Sequence, residues 1–400
     1  MSRWNEVALG DVAEISRSVV EPQGLPRGTR YLGLEHIERG GRILGDATVE
    51  SEGVISSKFT FVAGDILYGK LRPYLGKIAA PDFAGVCSTD IIPVRPGSDL
   101  VGRYLLHYLR QPKMIRLANA RATGANLPRL APKELAGIRV PLPPLAEQKR
   151  IAAVLDQVDT LRARRREGIA LLDDLAQSVF LDMFGDPASN PMGWEQRNLG
   201  EVILDGPQNG LYKPAGDYGD GVPILRIDSF QVGELKPPSQ WRLVSASLLE
   251  QERYSLQKFD IVINRVNSRS HLGKSVLVGE VPGGSVFESN MMRVRVDPSV
   301  VRPEFVGKYL QSAFVRRCIL ESAKDAVNQS SINQQDVKGL PVFVPPMRSQ
   351  REFEAALEQI RGAQRKHRTH LATLDELFTS LQHRAFSGTL WDHEACGEAA

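Results

Sequence analysis

Two long stretches of the chain carry apolar residues at alternating intervals of three and four positions, the spacing of a helix with one buried stripe. Each begins at a Pro-Pro pair: PLPPLAEQKRIAAVLDQV starts at Pro141 and FVPPMRSQREFEAALEQI starts at Phe343. With Ile151 as heptad position a, the first stripe is Ile151, Val154, Val158, Leu161, Arg165, Gly168, Leu172, Leu175, Val179 and Asp182. The second stripe, 202 positions later, is Phe353, Ala356, Ile360, Ala363, His367, His370, Leu374, Leu377, Leu381 and Arg384. Stripes this narrow favour a two-helix coiled coil over a globular core.

The ends of these helices carry typical boundary residues. Pro143 and Pro144 end the preceding strand and can occupy a first helical turn, and Glu147 adds negative charge at the positive end of the helix dipole. Gly185 followed by Asp186 and Pro187 is typical of a helix end. We therefore expect two helices of about 40 residues, each about 60 Å long.

Both stripes are polar in the same middle heptad, which favours one of the two possible pairings. Parallel helices would place both flanking globular parts at the same end and crowd them. Antiparallel helices place one globular part at each end and bring the two polar heptads together. We therefore expect an antiparallel pair with a pseudo-two-fold axis, in which the C-terminus returns near the N-terminus.

The helices belong to an internal repeat. Residues 126–186 align with residues 328–388 without a gap. Identical pairs include Asn126/Asn328, Gly137/Gly339, Pro143/Pro345, Pro144/Pro346, Gln148/Gln350, Leu155/Leu357, Gln157/Gln359, Asp173/Asp375, Leu175/Leu377 and Phe184/Phe386. Upstream the match weakens: WNEVALGDV at Trp4 corresponds to WEQRNLGEV at Trp194, and GDILYGKLRPYLGK at Gly64 to FDIVINRVNSRSHLGK at Phe259. The helices are copied closely while the globular parts diverge, as expected if the two globular parts perform different versions of one role.

Each globular part has the pattern of a mixed α/β domain. Runs such as FTFVAGDILYG, DIIPVRP, ILRIDSF, FDIVINRV and SVLVGEV predict strands ended by Gly and Pro. LVGRYLLHYLRQPKMIRLANA and PEFVGKYLQSAFVRRCILESA predict helices, and LKPPSQW predicts a loop. The predicted organisation is a globular domain over 1–143, a helix over 144–185, a second domain over 186–344, a second helix over 345–390 and a flexible tail over 391–400.

Length and composition favour a multidomain protein with reduced cysteines and no membrane-spanning segment. A chain of 400 residues exceeds what one core usually organises, and its net charge of +3 permits a nucleic-acid partner without requiring one. Cys87, Cys318 and Cys396 are scattered, without metal-ligand spacing, which indicates reduced thiols. We find no apolar run of signal-peptide or membrane-spanning length, so we expect a cytoplasmic protein without a membrane partner.

Catalytic motifs are nearly absent from the sequence. HLGKS at His271 lacks the first glycine of a phosphate loop, since Ser268 stands there, and GDYGDG at Gly216 has the wrong spacing for a dinucleotide fingerprint. Glu234 and Lys236, with Asp228 nearby, resemble half of a nuclease site, but the other copy has no equivalent. We expect no catalysis by the chain alone, no metal and no cofactor.

Two polar stretches in each globular part have the residue types that contact DNA. The first follows a strand: YGKLRPYLGK contributes Lys70, Arg72, Tyr74 and Lys77, and NRVNSRSHLGK contributes Asn264, Arg265, Asn267, Arg269, His271 and Lys274. The second precedes each helix entry: RATGANLPR contributes Thr123, Asn126 and Arg129, and AVNQSSINQQ contributes Asn328, Gln329 and Ser330. Arg can bind guanine bidentately and Asn adenine, while Lys and Arg neutralise phosphates. The alternative is a solvated loop with scattered charges; equivalent loops with different side chains favour base reading.

The middle of each long helix carries a basic run, ARRRE from Ala163 and QRKHR from Gln364, at matching phase. Such runs are usually solvated faces of a coiled coil, and contact with phosphates or an acidic partner is the alternative. The helix residues expected in the coiled coil or at a partner are Gln148, Ile151, Leu155, Val158, Leu172, Leu175, Gln350, Phe353, Leu357, Ile360, Leu374 and Leu377.

The layout resembles the specificity subunit of type I restriction–modification systems over nearly the whole chain. The resemblance rests on the repeated Pro-Pro-x-x-x-Gln helix entries, on the Trp…Leu-Gly-acid-Val domain starts and on GDILYGKLRPYLGK. It implies two target-recognition domains that each read one half of a bipartite site in double-stranded DNA. By position, it also implies DNA contacts from Lys70, Arg72, Lys77, Arg265, Arg269 and Lys274.

The resemblance further implies that the helices form an antiparallel spacer, set the gap between the half-sites and dock two methyltransferase subunits. Restriction and translocase subunits would join the complex. The second domain departs from the family form at its INRVNSRSHLGK loop, as expected if it reads other bases. Three alternatives stay open: a modification-only or single-polypeptide system, a two-headed protein scaffold, and an enzyme with an unrecognised site.

Overall fold

The structure is a computed structural model that describes residues 4–231, 233–327 and 329–391. The chain divides into two compact units. Unit 1 comprises Met1–Arg166 and Arg368–Ala400, and unit 2 comprises Glu167–His367. Each unit therefore contains one globular part together with a segment of each long helix.

Unit 1 contains ten strands and four short helices among its described residues. The strands are β1 (Glu6–Ala8), β2 (Ala13–Ile15), β3 (Val19–Val20), β4 (Tyr31–Leu32), β5 (Lys58–Phe61), β6 (Ile66–Gly69), β7 (Ile78–Ala79), β8 (Gly85–Cys87), β9 (Ile91–Pro96) and β10 (Arg139–Pro141). The helices are α1 (Leu9–Val12), α2 (Gly102–Leu109), α3 (Pro112–Ala120) and α4 (Pro132–Ala136). The first long helix, α5 (Leu145–Phe184), starts in this unit.

Unit 2 contains fourteen strands among its described residues. The strands are β11 (Glu195–Asn198), β12 (Ile203–Asn209), β13 (Tyr218–Leu225), β14 (Phe230–Gln231), β15 (Glu234–Leu235), β16 (Arg242–Val244), β17 (Ile261–Asn264), β18 (Val266–Asn267), β19 (Ser275–Leu277), β20 (Val286–Phe287), β21 (Met291–Val296), β22 (Lys324–Asp325), β23 (Ser330–Ser331) and β24 (Pro341–Val344). The helices are α6 (Leu248–Arg253), α7 (Pro303–Tyr309), α8 (Ala313–Ser322), α9 (Gln334–Lys338) and the second long helix, α10 (Met347–Ser387).

The two units share one sheet framework. The antiparallel order β2-β9-β6-β7 in unit 1 recurs as β12-β21-β17-β19 in unit 2. The parallel pair β4–β8 recurs as β13–β20, and the pair β1–β10, just before α5, recurs as β11–β24, just before α10. The mixed α/β class that the sequence predicts is confirmed.

One buried ion pair is also repeated. On β9, Arg95 donates from Nε to Oδ1 of Asp65 at 2.9 Å and from Nη2 to Oδ2 at 3.0 Å. On β21, Arg295 makes the same two bonds to Asp260, at 2.5 and 3.3 Å. Both carboxylates are buried and also accept a backbone N–H three residues upstream, so each pair fixes the turn that leads into a central strand.

The two predicted helical stretches after the sheets each break into two helices. In unit 1, Pro112 begins α3 at its first position, where its fixed φ and missing N–H are tolerated. In unit 2, Ser312 caps α8 because its hydroxyl accepts the N–H of Val315 at 3.3 Å. The turn between the helices lets both members of each pair pack on the sheet.

Contacts within each unit show that the long helices are antiparallel. In unit 1, Nε of Arg162 on α5 donates to Oδ1 of Asp375 on α10 at 2.6 Å. In unit 2, Nε2 of Gln364 on α10 donates to Oδ1 of Asp173 on α5 at 2.7 Å. Residues 162 and 364 are repeat equivalents, as are 173 and 375, so the two contacts are one contact made twice with the helices exchanged. The predicted antiparallel coiled coil is confirmed.

The predicted inward-facing stripe is wrong at every second position, where the residue that faces inward lies one position later in the chain. Leu155, Ala176 and Leu357 are buried, whereas Leu175 and Leu377 are each 45% exposed. The inward series therefore steps by four and then three from Ile151, not by three and then four. Both series of positions contain apolar residues at the helix ends; for example, Val154 and Leu155 are both apolar. The sequence pattern alone therefore did not distinguish the two series.

Gln148 and Gln350 lie in neither the coiled-coil stripe nor an exposed face, which corrects their assignment to a partner surface. Both are fully buried. Oε1 of Gln148 accepts the N–H of Val101 at 2.8 Å, and its Nε2 donates to the carbonyls of Asp99 and Pro143, both at 2.9 Å. Gln350 makes the equivalent bonds in unit 2, with the Arg302 N–H at 2.7 Å, the Pro345 carbonyl at 2.7 Å and the Val300 carbonyl at 3.4 Å. Each glutamine joins a helix start to its globular part.

The far end of each long helix packs into a core through a repeated phenylalanine. Phe386 lies against Tyr104 and Tyr108 in unit 1, with ring centroids 5.2 Å apart in each case. Phe184 lies against Phe305 and Phe353 in unit 2, at 4.9 and 5.3 Å. These contacts bury the ends of the helices.

The residues just after α10 also pack in unit 1. The indole Nε1 of Trp391 donates to Oε1 of Glu147, and the Trp391 ring lies 4.1 Å from the Arg150 guanidinium carbon. Trp391 is therefore ordered, in contrast to the flexible tail expected from residue 391 onward. Residues 392–400 of that tail, including Cys396, lie outside the described residues.

Candidate nucleic-acid interface

The two polar stretches predicted in unit 1 lie side by side. The backbone N–H of Arg72 donates to the carbonyl of Pro128 at 2.7 Å, and the N–H of Leu130 donates to the carbonyl of Lys70 at 3.0 Å. Leu71 also forms a β-bridge with Arg129. We name the surface formed by residues 70–77 and 121–129 the unit 1 loop pair.

The corresponding stretches of unit 2 are joined in the same way. Strand β18 pairs with β23, placing Val266 opposite Ser331 and Asn267 opposite Ser330. The N–H of Ile332 donates to the carbonyl of Arg265 at 3.0 Å, the equivalent of the bond from Leu130 to Lys70. We name residues 265–274 with 324–331 the unit 2 loop pair. Sequence reasoning found both stretches, and the folded chain brings them together.

Arg72 has an unusual backbone conformation at the edge of the unit 1 loop pair. Its φ of 51° and ψ of 64° lie in the left-handed region, which is uncommon for a residue with a side chain. The side chain is exposed, and the hydrogen bond from Arg72 N–H to Pro128 holds the backbone in place. The equivalent position in unit 2 is Asn267, which lies in the extended backbone of β18.

The remaining residues of the first unit 1 stretch differ in accessibility. Tyr74 is 48% exposed and Lys70 is half-buried. Lys77 is half-buried, and its Nζ donates to the carbonyl of Leu34 at 2.6 Å. The amine of Lys77 therefore makes an internal contact that joins the loop to the segment after β4, and it is not a free cation on the surface.

The second unit 1 stretch forms a tight exposed turn. Thr123 and Arg129 exchange backbone hydrogen bonds of 3.0 and 2.8 Å, which project Asn126 outward between them. The guanidinium of Arg129 donates from Nε to Oδ1 of Asp90 at 3.0 Å and from Nη2 to Oδ2 at 3.4 Å. These hydrogen bonds with Asp90 raise the pKa of Arg129 and fix the direction of its side chain.

In unit 2 the exposed cations come from the loop pair and from the helix beside it. Nη1 of Arg269 donates to Oδ2 of Asp325, and its Nη2 donates to the Leu320 carbonyl at 3.3 Å. Arg316 on α8 donates to the carbonyl of Ser270 at 3.0 Å. Together with Arg317, these arginines line an open recess beside the loop pair. Sequence reasoning missed Arg316 and Arg317, although two adjacent arginines on an amphipathic helix were a usable signal.

Two predicted DNA contacts in unit 2 are wrong because the side chains are buried. Asn264 is fully buried at the end of β17, where its Nδ2 donates to the carbonyl of His271 at 3.2 Å. Ser330 is 4% exposed and donates to Oδ1 of Asp325 at 2.6 Å. Both side chains point inward from their strands, and their hydrogen bonds stabilise the loop conformation.

The other predicted unit 2 residues lie at or near the loop surface. His271 is exposed, with its Nδ1 2.9 Å from the hydroxyl oxygen of Ser270, and Gln329 is exposed in a turn. Asn267 and Lys274 are half-buried, and Arg265 is half-buried with Nη1 donating to the Ser289 carbonyl at 3.2 Å. Asn328 lies outside the described residues.

Neither a metal site nor a membrane-spanning helix is present among the described residues. Over residues 4–231, 233–327 and 329–391, no three His, Cys, Asp or Glu side chains are grouped so that they could hold a metal ion. In the same residues, no helix combines the length and apolar character needed to cross a membrane. The Lys236 amine, part of the nuclease-like triplet, donates to the backbone carbonyl of Asp228.

Known proteins with similar sequences are specificity subunits of restriction enzymes. The sequence model described as "Type I restriction modification DNA specificity domain" matches residues 1–170. The chain is 27% identical over 316 residues to the type I restriction enzyme StySPI specificity subunit of Salmonella potsdam, covering 74% of this chain and 67% of that one. It is 26% identical over 318 residues to the EcoKI specificity subunit of Escherichia coli K12, with the same coverage.

The fold agrees with these sequence matches. The crystal structure of a type I restriction–modification system S subunit from M. genitalium superposes with a TM-score of 0.57 at 15% identity, over 96% of both chains. The matching family sequence model ends within α5, and the internal repeat extends the same framework through the rest of the chain. The sequence matches therefore show similarity to the specificity subunits of type I restriction–modification systems, and the M. genitalium structure shows the same fold.

Proposed function

We propose that this chain directs a type I restriction–modification complex to DNA, each unit reading one half of a bipartite site. The observation that carries the proposal is the repeated loop pair. The backbone bonds that join the two stretches are the same in both units, whereas the side chains on them differ. A fixed frame with variable side chains is the arrangement expected of two surfaces that recognise different sequences.

The chemistry of the loop pairs fits DNA. Exposed Arg72, Asn126 and Arg129 in unit 1, and Arg269 and Gln329 in unit 2, supply donors for phosphates and for base edges in the major groove. Because phosphate contacts supply affinity and base contacts supply discrimination, a mixture of both is needed at each half-site.

The long helices are proposed to set the spacing and to dock methyltransferase subunits. Their sequences are copied closely, as expected of two surfaces that bind identical partners. Leu175 and Leu377 are repeat equivalents, identical in type, and each is 45% exposed outside the coiled-coil stripe. An apolar side chain held at the same place on both helices supports docking of two methyltransferase copies, to which restriction and translocase subunits would add. Catalysis would then belong to those partners.

The proposal is tested by selection from a random duplex pool with the full chain, alone and with its methyltransferase. We expect enrichment of a two-part motif with dissimilar halves, and methylation within that motif. Absence of a motif in both arms would overturn the proposal in favour of a protein scaffold.

A second measurement isolates the spacer role. Inserting one heptad into each long helix should shift the preferred gap between the half-sites or abolish binding, because about 10 Å is added to each helix. An unchanged gap with full affinity would contradict a spacer role while leaving DNA recognition intact. Leu175→Glu and Leu377→Glu should weaken methyltransferase binding without changing the selected motif.

A further inference from the structure

Each loop pair contains one exposed arginine whose guanidinium is held by an aspartate from a neighbouring segment. In unit 1 the pair is Arg129 with Asp90, in the turn between β8 and β9. In unit 2 it is Arg269 with Asp325 on β22, and Asp325 is itself fixed by the hydroxyl of Ser330. An acidic residue on a surface that binds a polyanion weakens binding unless it has a specific role.

These two ion pairs are not part of the shared frame. Arg129 aligns with Ser331 in the repeat, and Asp90, just before β9, corresponds to Asn290, just before β21. A pair needed for the fold would recur at equivalent positions, as the pair of Arg95 with Asp65 does in unit 2. Each unit has therefore placed an aspartate against an arginine independently.

Stability does not account for the pairs either. The side chains of Arg129 and Asp90 are 46% and 28% exposed, and those of Arg269 and Asp325 are 56% and 52% exposed. Exposed ion pairs contribute little to stability because water and salt screen them and two long side chains must be ordered. What the aspartate does supply is direction, since a planar guanidinium bound along one edge presents its other donors in a fixed plane.

The free donors have the geometry that guanine requires. Asp90 occupies the Nε and Nη2 side of Arg129, which leaves the terminal edge of the guanidinium with N–H groups on Nη1 and Nη2. Asp325 and the Leu320 carbonyl occupy Nη1 and Nη2 of Arg269, which leaves the Nε–H side. The remaining edge of Arg129 offers two parallel donors, which match the O6 and N7 acceptors of guanine in the major groove, and Arg269 keeps its Nε–H for one of these acceptors.

We propose that Asp90 and Asp325 are positioning residues that hold Arg129 and Arg269 as the guanine-reading side chains of their units. The proposal rests on the proposed DNA-recognition function and deepens it. The carboxylates also repel the phosphates of non-cognate DNA, so they raise specificity in two ways. Arg72, without an acidic partner among the described residues, is by contrast a phosphate contact of the same surface.

The test compares Asp90→Asn and Asp325→Asn with two charge-matched controls, Asp82→Asn in unit 1 and Glu252→Gln in unit 2. Both control carboxylates are exposed and lie outside the loop pairs. Binding of the full chain is measured to the selected duplex, to duplexes with each base pair changed, and to an unrelated duplex.

We expect Asp90→Asn to lose about 5- to 100-fold of discrimination at one G·C pair of one half-site. Asp325→Asn should do the same in the other half-site. Affinity for the unrelated duplex should stay level or rise, because a negative charge is removed from the surface. The controls should change neither quantity, and Asp90→Asn should add nothing to Arg129→Gln in a double variant.

Several outcomes would overturn the inference. One is a variant that keeps full discrimination at every position; another is an equal loss of affinity for all duplexes, which would make Arg129 a phosphate contact. Thermal unfolding of each variant separates these results from misfolding, and Arg129→Gln provides the same test at the loop if Asp90→Asn unfolds. If the wild-type chain selects no motif, the proposed function fails and this inference fails with it, whereas a wild-type motif with unaltered variants refutes the inference alone.

Discussion

Units 1 and 2 agree in the polar contacts that join elements of the fold and differ in those of the loop pairs. Three contacts recur: the ion pair between the arginine on the second strand of the sheet order and a buried aspartate, the bonds of the buried glutamine at the helix start, and the bond to the aspartate that crosses the coiled coil. On the loop pairs, the ion pair of Arg129 in unit 1 and that of Arg269 in unit 2 occupy unrelated positions. The two copies thus act as an internal alignment, in which repeated contacts belong to the shared frame and unrepeated ones are the candidates for the proposed recognition.

The largest expected effect on stability comes from the repeated phenylalanines at the helix ends. Phe386→Ala removes a buried ring packed against two aromatic rings, and Phe184→Ala removes one packed against three, so each should lower the free energy of unfolding by about 3–5 kcal/mol. Hydrogen exchange resolved by unit is the measurement. Phe386→Ala should raise exchange in unit 1 and Phe184→Ala in unit 2, and the same pattern from both variants would contradict the division of the fold into two equivalent cores.

Removal of the repeated glutamine should have the next largest effect. Gln148→Leu leaves the Val101 N–H and two carbonyls without their partner, and we expect a loss of about 2–4 kcal/mol in urea unfolding. Gln350→Leu should cost somewhat less, because one of its three bonds is already long at 3.4 Å. The control is another repeated pair, Gln157 and Gln359, which are exposed. Leucine at those positions should change stability by no more than about 0.5 kcal/mol.

These glutamines also show what sequence reasoning can and cannot reach. The identity of Gln148 and Gln350 and their place after Pro-Pro were visible in the repeat, and so was the pairing of Asp173 with Asp375 as equivalents. Their partners were not visible, because hydrogen bonds such as Gln148 to Val101 span 47 positions and depend on how α2 and α5 cross. The repeat identified positions that are identical in the two copies. It did not show whether their side chains join the helix to its own globular part or contact a partner subunit.

The two errors among the predicted DNA contacts have a related cause. Asn264 and Ser330 have residue types suited to bases, but each sits at a strand position whose side chain points inward. A shift of one residue in register reverses side-chain direction, and the short strands β17 and β23 give the sequence pattern too few alternations to fix that register. Asp90 and Asp325 were overlooked because acidic residues do not suggest DNA binding until their arginine partners are seen.

A pH experiment exploits a difference between the units at the helix joint. In unit 1, burial opposes ionisation of Asp156, but hydrogen bonds from His107 and Arg103 outweigh it and lower the pKa of Asp156 to about 2. A carboxylate with a lowered folded pKa stabilises the fold above its unfolded value near 3.8, and this contribution disappears as pH falls toward 2. Its size is about 2 kcal/mol at most, because the Asp156 side chain is 31% exposed and partly screened.

The measurement is the unfolding free energy of wild type and of Asp156→Asn between pH 7 and pH 2. The difference between them should be constant at neutral pH and shrink below about pH 4. Glu354, which pairs with Arg302 at the corresponding joint of unit 2, provides the comparison variant Glu354→Gln. A difference that grows on acidification would contradict the lowered pKa of Asp156.

The smallest expected effect concerns the aspartate that crosses the coiled coil, Asp375 in unit 1 and Asp173 in unit 2. Its removal should lower stability less in unit 1, where it pairs with an arginine, than in unit 2, where it pairs with a glutamine. In unit 1, loss of Asp375 leaves Arg162 with Asp159 at 2.8 Å, so Asp375→Ala should cost under about 1 kcal/mol. In unit 2, Gln364 is 4% exposed, and loss of Asp173 deprives its buried amide of an acceptor, so Asp173→Ala should cost about 1–2 kcal/mol. Urea unfolding of both variants checks the order. A larger loss for Asp375→Ala would mean that the charge on Arg162, and not the burial of Gln364, determines how strongly the helices are held together.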